Sequence, residues 1–439
     1  MVIFLDREEE LEKLRRALRG EGFRLVVVYG RRRIGKTSLV LKATEDMRRV
    51  YYLAVGRGNL RRFKQAAARV DPGVLTTADD WEAVFTYLRD RVDVVIIDEF
   101  PNLIEEDRSI LSTLQAVVDE VLAHSNLKLV LAGSSISTMT SKVLSYKSPL
   151  YGRRTASLRV DPIPFLKYRQ FFPDRPPHEL VEIHGFAGGI PYYMVKVREP
   201  FWDFLGRELR ERTFLLDEGD FLLRYEFEDV STYRQILEAI AAGKNTLGEI
   251  RDHAGLRSTD ITPYLRNLEI VGIVRKVKPV LGRGRYRYEL ADGFLRFWHR
   301  FIGPNLWLIE QGLYGAEDIR REYSQYLGRT FEEIAREVVV REIAAGRLPR
   351  VTKLGPQWWT KRGEAREIDL LGVGDGVVVA VEARWRDGVD AAEVAQELRE
   401  KVEELGLPGR VVPVVVARSF RKREGAAAYD LGDIYRMMA

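Results

Sequence analysis

The sequence LVVVYGRRRIGKTSLV, residues 25–40, contains three successive patterns. An apolar run typical of a buried strand is followed by a glycine-rich loop matching G-x-x-x-x-G-K-[ST], and the loop by the apolar start of a helix. Gly30 and Gly35 let the backbone wrap closely around an anion, because residues without a Cβ readily adopt left-handed angles. The N–H groups of the loop and of the helix N-terminus then point at a phosphate. The sequence therefore predicts a loop that binds the phosphates of a nucleoside triphosphate.

Composition narrows the class of protein. A chain of 439 residues suggests two to four domains, and 46% hydrophobic with 31% charged residues is typical of a soluble globular protein. No apolar run reaches the length of a membrane span, and the first residues lack the layout of a signal peptide. The chain has no cysteine, which excludes disulfides, thiolate metal sites and cysteine nucleophiles. We expect a cytoplasmic protein that does not contact membranes.

Positive charge is concentrated in one segment. The formal net charge is +5, and residues 231–300 alone hold 13 Lys and Arg against seven Asp and Glu. Such a local excess indicates a partner with negative charge, for example nucleic acid.

The apolar runs predict an α/β first domain. Buried strands are expected at Val50–Val55, Val92–Asp98 and Leu127–Ala132, separated by helical stretches as in a doubly wound sheet. The predicted domains are an ATPase core at 1–175, a helical segment at 176–229, a winged helix-turn-helix at 230–300, a connector at 301–322 and a second, small α/β domain at 323–439.

Two acidic residues end the strand VDVVIID. A phosphate-binding loop needs a partner from a neighbouring strand, and Asp98 could hold the Mg²⁺ shell while Glu99 polarises water for in-line attack. Lys36 would reach the β- and γ-phosphates, and the Thr37 hydroxyl would ligate Mg²⁺. The alternative for the acidic pair is an ordinary acidic strand end.

Further polar residues follow the next strand. Ser134 comes after LKLVLAG and could sense the γ-phosphate, although serine is also ordinary in turns. Arg153 and Arg154 could stabilise transition-state charge from a neighbouring subunit, which would imply a homo-oligomer. Their alternative is a solvated surface pair.

The chain resembles the archaeal ATPase family, a branch of P-loop proteins close to AAA+ and STAND ATPases. The matching residues are Phe4-x-Asp6-Arg7-Glu8-x-Glu10-Leu11, Gly30–Thr37, Ile97–Phe100, Ala132–Ser135, Leu150–Arg154 and Gly188–Tyr192.

This resemblance implies a fold and a set of roles. The fold would be an AAA+-like P-loop NTPase with a helical lid. The segment Gly188–Tyr192 would form the first part of this lid, near the adenine. Glu99 would activate water, Ser134 would be the sensor, and Mg²⁺ would lie near Thr37 and Asp98. The residues expected to bind ATP are Arg7, Gly30, Arg31, Gly35, Lys36, Thr37, Ser38 and Pro191. Those expected to act in catalysis are Lys36, Glu99, Ser134, Arg153 and Arg154.

Three predicted helices and a hairpin have the layout of a winged helix. The helices are Thr232–Ala242, Leu247–Ala254 and Ser258–Val271, and the strands Ile273–Val277 and Arg285–Leu290. The hairpin is basic and could lie along the phosphate backbone of double-stranded DNA. Its cations are Arg275, Lys276, Lys278, Arg283, Arg285 and Arg287. The third helix carries few base-reading side chains, and a protein-contact role stays open.

The C-terminal pattern resembles a PD-(D/E)XK nuclease core. Its elements are Glu332 or Glu333 on a helix, Asp369 at a strand, and Glu382 with Arg384 on the next strand. Asp369 and Glu382 would hold Mg²⁺. The usual lysine is replaced by Arg384, which stays protonated and cannot deprotonate water. A nuclease-like fold kept for binding or packing is the alternative.

These patterns predict a Mg²⁺-dependent ATPase that acts as a nucleotide switch or motor rather than as a metabolic enzyme, and that associates with DNA. The alternatives are a STAND-like signalling ATPase whose C-terminal modules bind protein, and an active DNA nuclease.

Overall fold

A computed structural model describes residues 5–282 and 284–438, and it divides the chain into two compact units, Met1–Pro162 and Ile163–Ala439. The N–H of Ile163 donates to the carbonyl of Gly189 at 2.8 Å, within the second unit. The N–H groups of Phe165 and Leu166 donate to the Glu337 carboxylate at 3.0 and 3.1 Å. Residues 163–175 therefore pack with the second unit, not with the ATPase core as the predicted boundary has it.

The first unit is built on a five-stranded parallel sheet. Its strands are β1 (Arg24–Tyr29), β2 (Arg49–Leu53), β3 (Val94–Asp98), β4 (Lys128–Gly133) and β5 (Ala156–Arg159), in the order β2-β3-β4-β1-β5. Every residue of β3 and β4 is buried, as expected for strands covered on both faces. The predicted doubly wound α/β fold is confirmed. The short strand β5 has too few residues for its pattern to be recognised in the sequence.

Helices cover this sheet. The longer ones are Glu8–Leu18, Lys36–Ala43, Asn59–Ala68, Trp81–Leu88, Pro101–Glu106 and Ile110–Ala116. The helix Lys36–Ala43 begins directly after Gly35, so the predicted strand–loop–helix order is present.

The second unit starts with helices. These are Tyr168–Phe171, Pro177–Ala187, Pro191–Met194, Phe201–Arg210 and Phe214–Glu226. Gly188 and Gly189 have φ of +56° and +76°, and they end one helix before Pro191 starts the next. A Cβ on Gly188 would lie 2.7 Å from the Gly293 Cα, so only glycine allows this close approach.

Three helices and a hairpin follow, which we call the hairpin segment (residues 230–290). The helices are Val230–Ala241, Leu247–His253 and Thr262–Ile270, and the strands are β6 (Val274–Val277) and β7 (Arg287–Leu290). The third helix begins at Thr262 rather than at Ser258, because Pro263 in its first turn favours a helix start.

The aromatic stretch Phe294–Trp307, which the sequence predicts to be one connecting helix, is interrupted in the structure. The chain forms Gly293–Phe297, a π-helical turn to Ile302, a 3₁₀ turn Gly303–Asn305 and the helix Leu306–Glu310. Pro304 explains the break, because it has no N–H to continue the helical hydrogen bonds. The sequence also predicts a helix over Gly328–Ala345, and the helix in the structure, Ala316–Ala344, begins well before it.

The chain ends in a second five-stranded, mixed sheet with the order β14-β12-β10-β9-β8. Its strands are β8 (Lys353–Lys361), β9 (Glu364–Gly374), β10 (Val377–Arg384), β12 (Arg410–Ala417) and β14 (Ala427–Tyr429), with the short pair β11 (Val389–Asp390) and β13 (Phe420–Lys422) alongside. The helix Ala391–Glu404 packs on one face through Val394, Leu398 and Val402, and Leu431–Met437 is the last helix.

Strand β8 is not predicted from the sequence. Its register shifts between Gly355 and Gln357, at Pro356, and β8 lies at the edge of the sheet. Proline lacks a donor and is confined to edge strands or bulges, so this strand lacks the usual pattern. None of the described helices is long and apolar enough to cross a membrane.

Candidate active site

Three loops meet at one edge of the first sheet. The glycine-rich loop follows β1, Asp98 ends β3, and Ser134 follows β4. Strand β4 lies between β1 and β3, and all three strands are parallel. Their carboxyl ends therefore open on the same crevice, which is where parallel α/β sheets bind ligands.

The loop itself has the backbone that its glycines require. Gly35 has φ of +96°, and a Cβ there would meet nothing within 4 Å, so the inside of the loop is open. A Cβ on Gly30 would lie 2.5 Å from the carbonyl oxygen of Val160, which rules out a larger residue. The buried Lys36 lies across the loop, and its Nζ donates to the carbonyls of Gly30 and Arg31 at 3.0 Å each.

Asp98 is held by hydroxyls from two neighbouring elements. The Thr37 hydroxyl donates to Oδ2 of the buried Asp98 at 2.6 Å, and the Tyr51 hydroxyl donates to the same oxygen at 3.0 Å. The N–H of Glu99 donates to Oδ1 at 2.9 Å. Burial, and then the Asp98 carboxylate, raise the pKa of the Tyr51 phenol well above its usual range, so Tyr51 remains a donor.

Tyr51 was not among the predicted site residues. It pairs in register with Ile96, two residues before Asp98 on the adjacent strand. Because side chains alternate along a strand, Tyr51 and Asp98 project from the same face of the sheet. Knowing how β2 pairs with β3 would have identified Tyr51 as a site residue.

Glu99 has a backbone and a side chain that are both constrained. Its φ is +51°, which is uncommon outside glycine and often found at functional sites. The N–H of Ser134 donates to Oε2 at 3.2 Å, and the Ser134 hydroxyl donates to Oε1. The structure thus places Ser134 between the two loops and against the proposed base.

The donor set around Thr37 fits Mg²⁺. A hydroxyl and a carboxylate oxygen are hard oxygen ligands, which Mg²⁺ prefers, and it commonly takes only one or two carboxylates plus substrate phosphates. The Thr37 hydroxyl and the Asp98 carboxylate are within hydrogen-bond distance of each other.

The other predicted residues of this unit differ in position. Arg7 is buried against the loop, with a hydrogen bond of 3.2 Å to the Ile34 carbonyl and an ion pair of 2.7 Å to Glu10. Arg31 contributes the carbonyl that Lys36 binds, and Ser38 lies in the first turn of the helix that follows. The Arg7 side chain therefore supports the loop by a hydrogen bond to the backbone of the loop.

Arg153 and Arg154 are not equivalent. Arg153 binds Asp119 through Nε at 2.6 Å and donates to the Pro149 carbonyl at 2.9 Å. Hydrogen bonding to Arg153 lowers the pKa of Asp119. Arg154 stacks over the Tyr151 ring at 5.6 Å. Because Arg153 is engaged within its own unit, Arg154 is the better candidate for a residue that acts on a neighbouring subunit.

Pro191 lies in the second unit, at the start of the helix Pro191–Met194. Its contact with adenine stays a prediction.

The predicted basic hairpin is partly neutralised. Arg275 binds Glu289 and Glu333, each at 2.9 Å, and Arg287 binds Glu367 at 2.8 Å. Glu289 lies opposite Arg275 on the same hairpin, whereas Glu333 and Glu367 come from distant parts of the chain that the sequence could not indicate. The exposed cations are Lys276, Lys278 and Arg285, and Arg283 lies outside the described residues.

The tip of the hairpin also docks on strand β8. The N–H of Val280 donates to the Pro356 carbonyl at 2.9 Å, and that of Leu281 to Gln357 at 3.0 Å. Trp358 Nε1 donates to the Arg285 carbonyl at 3.2 Å. The hairpin segment and the C-terminal sheet are therefore joined, and only one side of the hairpin faces solvent.

Glu332 and Glu333, the two candidates for the helix carboxylate of the nuclease-like pattern, form different ion pairs. Glu333 is held by Arg296 at 3.0 Å and by Arg275, and these guanidinium groups lower its pKa to about 2 despite burial. Glu332 pairs with Arg329, and its pKa is raised by burial, with further contributions from Glu367 and Glu289. Glu332 is therefore the residue of the two whose carboxyl belongs to the acidic cluster near Asp369.

Glu382 is bound by two cations. Its Oε1 lies 2.9 Å from Arg384, and its Oε2 lies 3.2 Å from Lys401 of the helix Ala391–Glu404. Asp369 accepts from the Ala383 N–H at 2.8 Å, and burial, with the charges of Glu382 and Glu332, raises its pKa to about 8. Within residues 5–282 and 284–438, no three His, Cys, Asp or Glu side chains form a group that could hold a metal. In this structure both carboxylate oxygens of Glu382 are engaged by Arg384 and Lys401.

Asp369→Asn is expected to stabilise the second unit increasingly as pH rises. The folded chain keeps a proton on Asp369 up to about pH 8, whereas the unfolded carboxyl releases it near its ordinary value. Wild-type stability therefore falls as pH rises between those values, by at most about 1.4 kcal/mol per pH unit. Asparagine keeps the acceptor for Ala383 and cannot ionise.

Calorimetric unfolding at steps from about pH 4.5 to 8.5 measures this effect, since the gain should grow across that window. The exposed Asp375→Asn, in the turn between β9 and β10, is the matched control. A gain for Asp369→Asn that does not change with pH would mean that Asp369 is already ionised.

Comparisons with known proteins were consistent with this geometry. The profile of a family described as an ATPase domain predominantly from Archaea matches residues 4–197, and that of a family described as archaeal and bacterial proteins of unknown function matches residues 298–399. An uncharacterized protein of Methanocaldococcus jannaschii is 46% identical over 414 residues, covering 92% of this chain and 93% of that protein.

Among solved structures, the Walker-type ATPase of Pyrococcus abyssi is similar in fold, with a TM-score of 0.51 at 22% identity, covering 68% of this chain and 96% of that one. The ORC2 protein of Aeropyrum pernix has a TM-score of 0.45 at 16% identity, covering 71% and 96%.

Proposed function

Because this chain belongs to the archaeal ATPase family, we propose that it hydrolyses ATP at the Thr37–Asp98–Glu99 site and acts as a nucleotide switch associated with DNA. The observation that carries the proposal is the convergence of the loop, Asp98 and Glu99 at one edge of a parallel sheet, with Thr37 and Asp98 joined at 2.6 Å. This is the arrangement that phosphoryl transfer requires.

The residues divide the chemistry among them. Lys36 and the N–H groups of the loop would hold the β- and γ-phosphates, and Thr37 with Asp98 would hold Mg²⁺. Bound there, Mg²⁺ neutralises charge that develops on the phosphate oxygens. Glu99 would take a proton from water as the water oxygen bonds to the γ-phosphorus. The bond from that phosphorus to the bridging oxygen breaks, which gives ADP and phosphate.

Glu99 is held by Ser134. In this structure both of its carboxylate oxygens accept from Ser134, which orients the carboxylate. Ser134 is thus suited to couple the nucleotide to the base, which supports the predicted sensor role.

Association with DNA is supported by the exposed side of the hairpin segment, which has the layout of a winged helix. Lys276, Lys278 and Arg285 are exposed there, and both lysines lie over the Tyr286 ring, at 4.3 and 4.7 Å. Cations with an aromatic ring suit a phosphate backbone, with little sequence readout.

Double-stranded DNA is expected to stimulate ATP hydrolysis at low salt. Replacing Lys276, Lys278 and Arg285 together by alanine should weaken DNA binding and lower the slope of log affinity against log salt by roughly three, about one for each lost contact. Steady-state ATPase assays and salt-dependent fluorescence anisotropy measure the two effects.

The matched control replaces three other exposed cations of the second unit, Arg321, Arg362 and Lys422. If the wild-type chain ignores DNA at low salt, the DNA proposal fails. That result would favour the alternative of a STAND-like switch whose C-terminal modules bind protein.

The nuclease alternative receives no support from the acidic cluster. Glu382 forms ion pairs with Arg384 and Lys401, and burial with the nearby carboxylates raises the pKa of Asp369. We infer that the C-terminal sheet serves for binding, and we derive no cleavage step through it.

A further inference from the structure

A cavity of about 180 Å³ lies within the second unit. Its lining includes Glu182, Trp202, Arg320, Tyr323, Trp385 and Arg418. Trp385 and Arg418 directly follow β10 and β12, which are adjacent and parallel. The cavity therefore opens at the carboxyl ends of two parallel strands, the usual position of ligand sites in such sheets.

Aromatic rings form its walls. Trp202 packs edge-on against the buried Tyr323, with ring centroids 5.2 Å apart. The ring of Trp385 packs against that of Phe331, with ring centroids 5.2 Å apart. These contacts hold both indoles in place before any ligand arrives, so little side-chain entropy would be lost on binding a flat ring.

Two arginines of the lining lie over the tryptophan rings. The Arg320 guanidinium is 5.3 Å from the centroid of the Trp202 ring, and that of Arg418 is 5.4 Å from the centroid of the Trp385 ring. Their carboxylate partners, Glu317 at 3.7 Å and Asp387 at 3.4 Å, are mostly exposed. Such exposed pairs are weak and would exchange readily for a phosphate.

A carboxyl group provides the polar contact inside. Trp202 Nε1 donates to Oε1 of Glu182 at 3.2 Å, which orients the group. A carboxyl group retains further lone pairs after one hydrogen bond. Glu182 can therefore accept from an amino group on the edge of a base, as carboxylates do with cytosine N4.

The volume of the cavity limits the size of the ligand that can enter it. Pockets that enclose drug-sized molecules measure roughly 300–1,000 Å³. A cavity of about 180 Å³ matches one flat ring system, and a sugar and phosphate would remain outside, beside the two arginines.

We propose that this cavity, the base pocket, binds a nucleobase that bears an amino group, with the attached phosphate at Arg320 and Arg418. The base comes either from a free nucleotide or from single-stranded nucleic acid. The base pocket is separate from the proposed ATP site and does not depend on hydrolysis there.

The test uses the full chain carrying Lys36→Ala, so that the glycine-rich loop contributes little. Calorimetric titration with 5′-AMP, 5′-GMP and 5′-TMP examines free nucleotides, and titration with a short oligodeoxyadenylate examines single strands. We expect saturable binding of AMP, GMP or the oligonucleotide, and weaker binding of TMP. Trp385→Ala should weaken it roughly 5- to 150-fold, the range for loss of one stacked base.

Trp385→Phe keeps a ring and should bind nearly as well. Trp307, which is 64% exposed on another helix, supplies the control Trp307→Ala. If Trp385→Ala does not fold, the variant Arg418→Ala gives the readout through lost affinity for the phosphate, with Arg321→Ala as its control.

Each outcome decides the proposal. Binding of mononucleotides alone identifies free nucleotide as the source, and binding of the oligonucleotide alone identifies a single strand. No saturable binding of any probe at millimolar concentration overturns the base pocket. Binding that neither Trp385→Ala nor Arg418→Ala changes also overturns it.

Discussion

Lys36→Ala is expected to lower the affinity for ATP at least about 100-fold, which corresponds to about 2.7 kcal/mol. The Lys36 ammonium is buried in the loop, 3.0 Å from the carbonyls of Gly30 and Arg31. It is therefore placed where phosphate oxygens would lie, and hydrogen bonds from a charged donor contribute roughly 1.5–3 kcal/mol. Alanine removes both the charge and the hydrogen bonds, whereas the loop backbone stays.

Isothermal titration with Mg²⁺–ATP measures this loss. Lys42→Ala is the matched control, since Lys42 lies on the same helix and forms an exposed ion pair of 2.6 Å with Glu45. The control should bind ATP like the wild-type chain. Unchanged affinity in Lys36→Ala would mean that the loop does not hold the triphosphate.

Glu99→Gln is expected to slow ATP hydrolysis by roughly 10²- to 10⁴-fold, the usual contribution of a general base. Glutamine has the same shape and can still accept from Ser134, but it cannot take a proton from water. ATP affinity should change little, because Glu99 is not placed to contact the β-phosphate in the proposed mechanism. Single-turnover hydrolysis and titration on the same preparation separate the two quantities.

The control for Glu99→Gln is Glu105→Gln, an exposed carboxyl on the helix Pro101–Glu106. Equal loss of binding and turnover in Glu99→Gln would indicate a general collapse of the site. Loss of turnover alone supports the role of Glu99 as base.

Most of the ATP site could be predicted from the sequence. The spacing of Gly30, Gly35, Lys36 and Thr37 is local, and both glycines take the positive φ that glycine favours. The strand ending in Asp98 is recognisable because burial on both faces leaves a continuous apolar run. The contact between Thr37 and Asp98 then follows from parallel pairing of the strands.

Contacts between distant segments were not predictable. The sequence predicts a basic surface that includes Arg275 and Arg287. In the structure, Arg275 pairs with Glu333 on a helix and Arg287 with Glu367 on a strand, both far along the chain. Lys401 reaches Glu382 from a helix, although only Arg384 stands at the motif position. Such pairs depend on tertiary packing, which local patterns do not encode.

The predicted positions of helices and strands were wrong near three prolines. Strand β8, which contains Pro356, was not predicted, and the helix predicted through Pro304 is interrupted there. The helix that contains Pro263 begins later than predicted. At Pro304 and Pro356 the missing N–H changed the local hydrogen bonding, whereas the fixed φ of Pro263 favours a helix start.

Phosphate release from ATP by the purified wild-type chain, in Mg²⁺ and beside Glu99→Gln, tests the proposed site most directly. We predict steady release by the wild-type chain, loss of release when EDTA removes Mg²⁺, and release by Glu99→Gln at no more than about one hundredth of the wild-type rate. Equal rates for the wild-type chain and Glu99→Gln would contradict the assignment of Glu99 and of this edge of the sheet as the centre of hydrolysis.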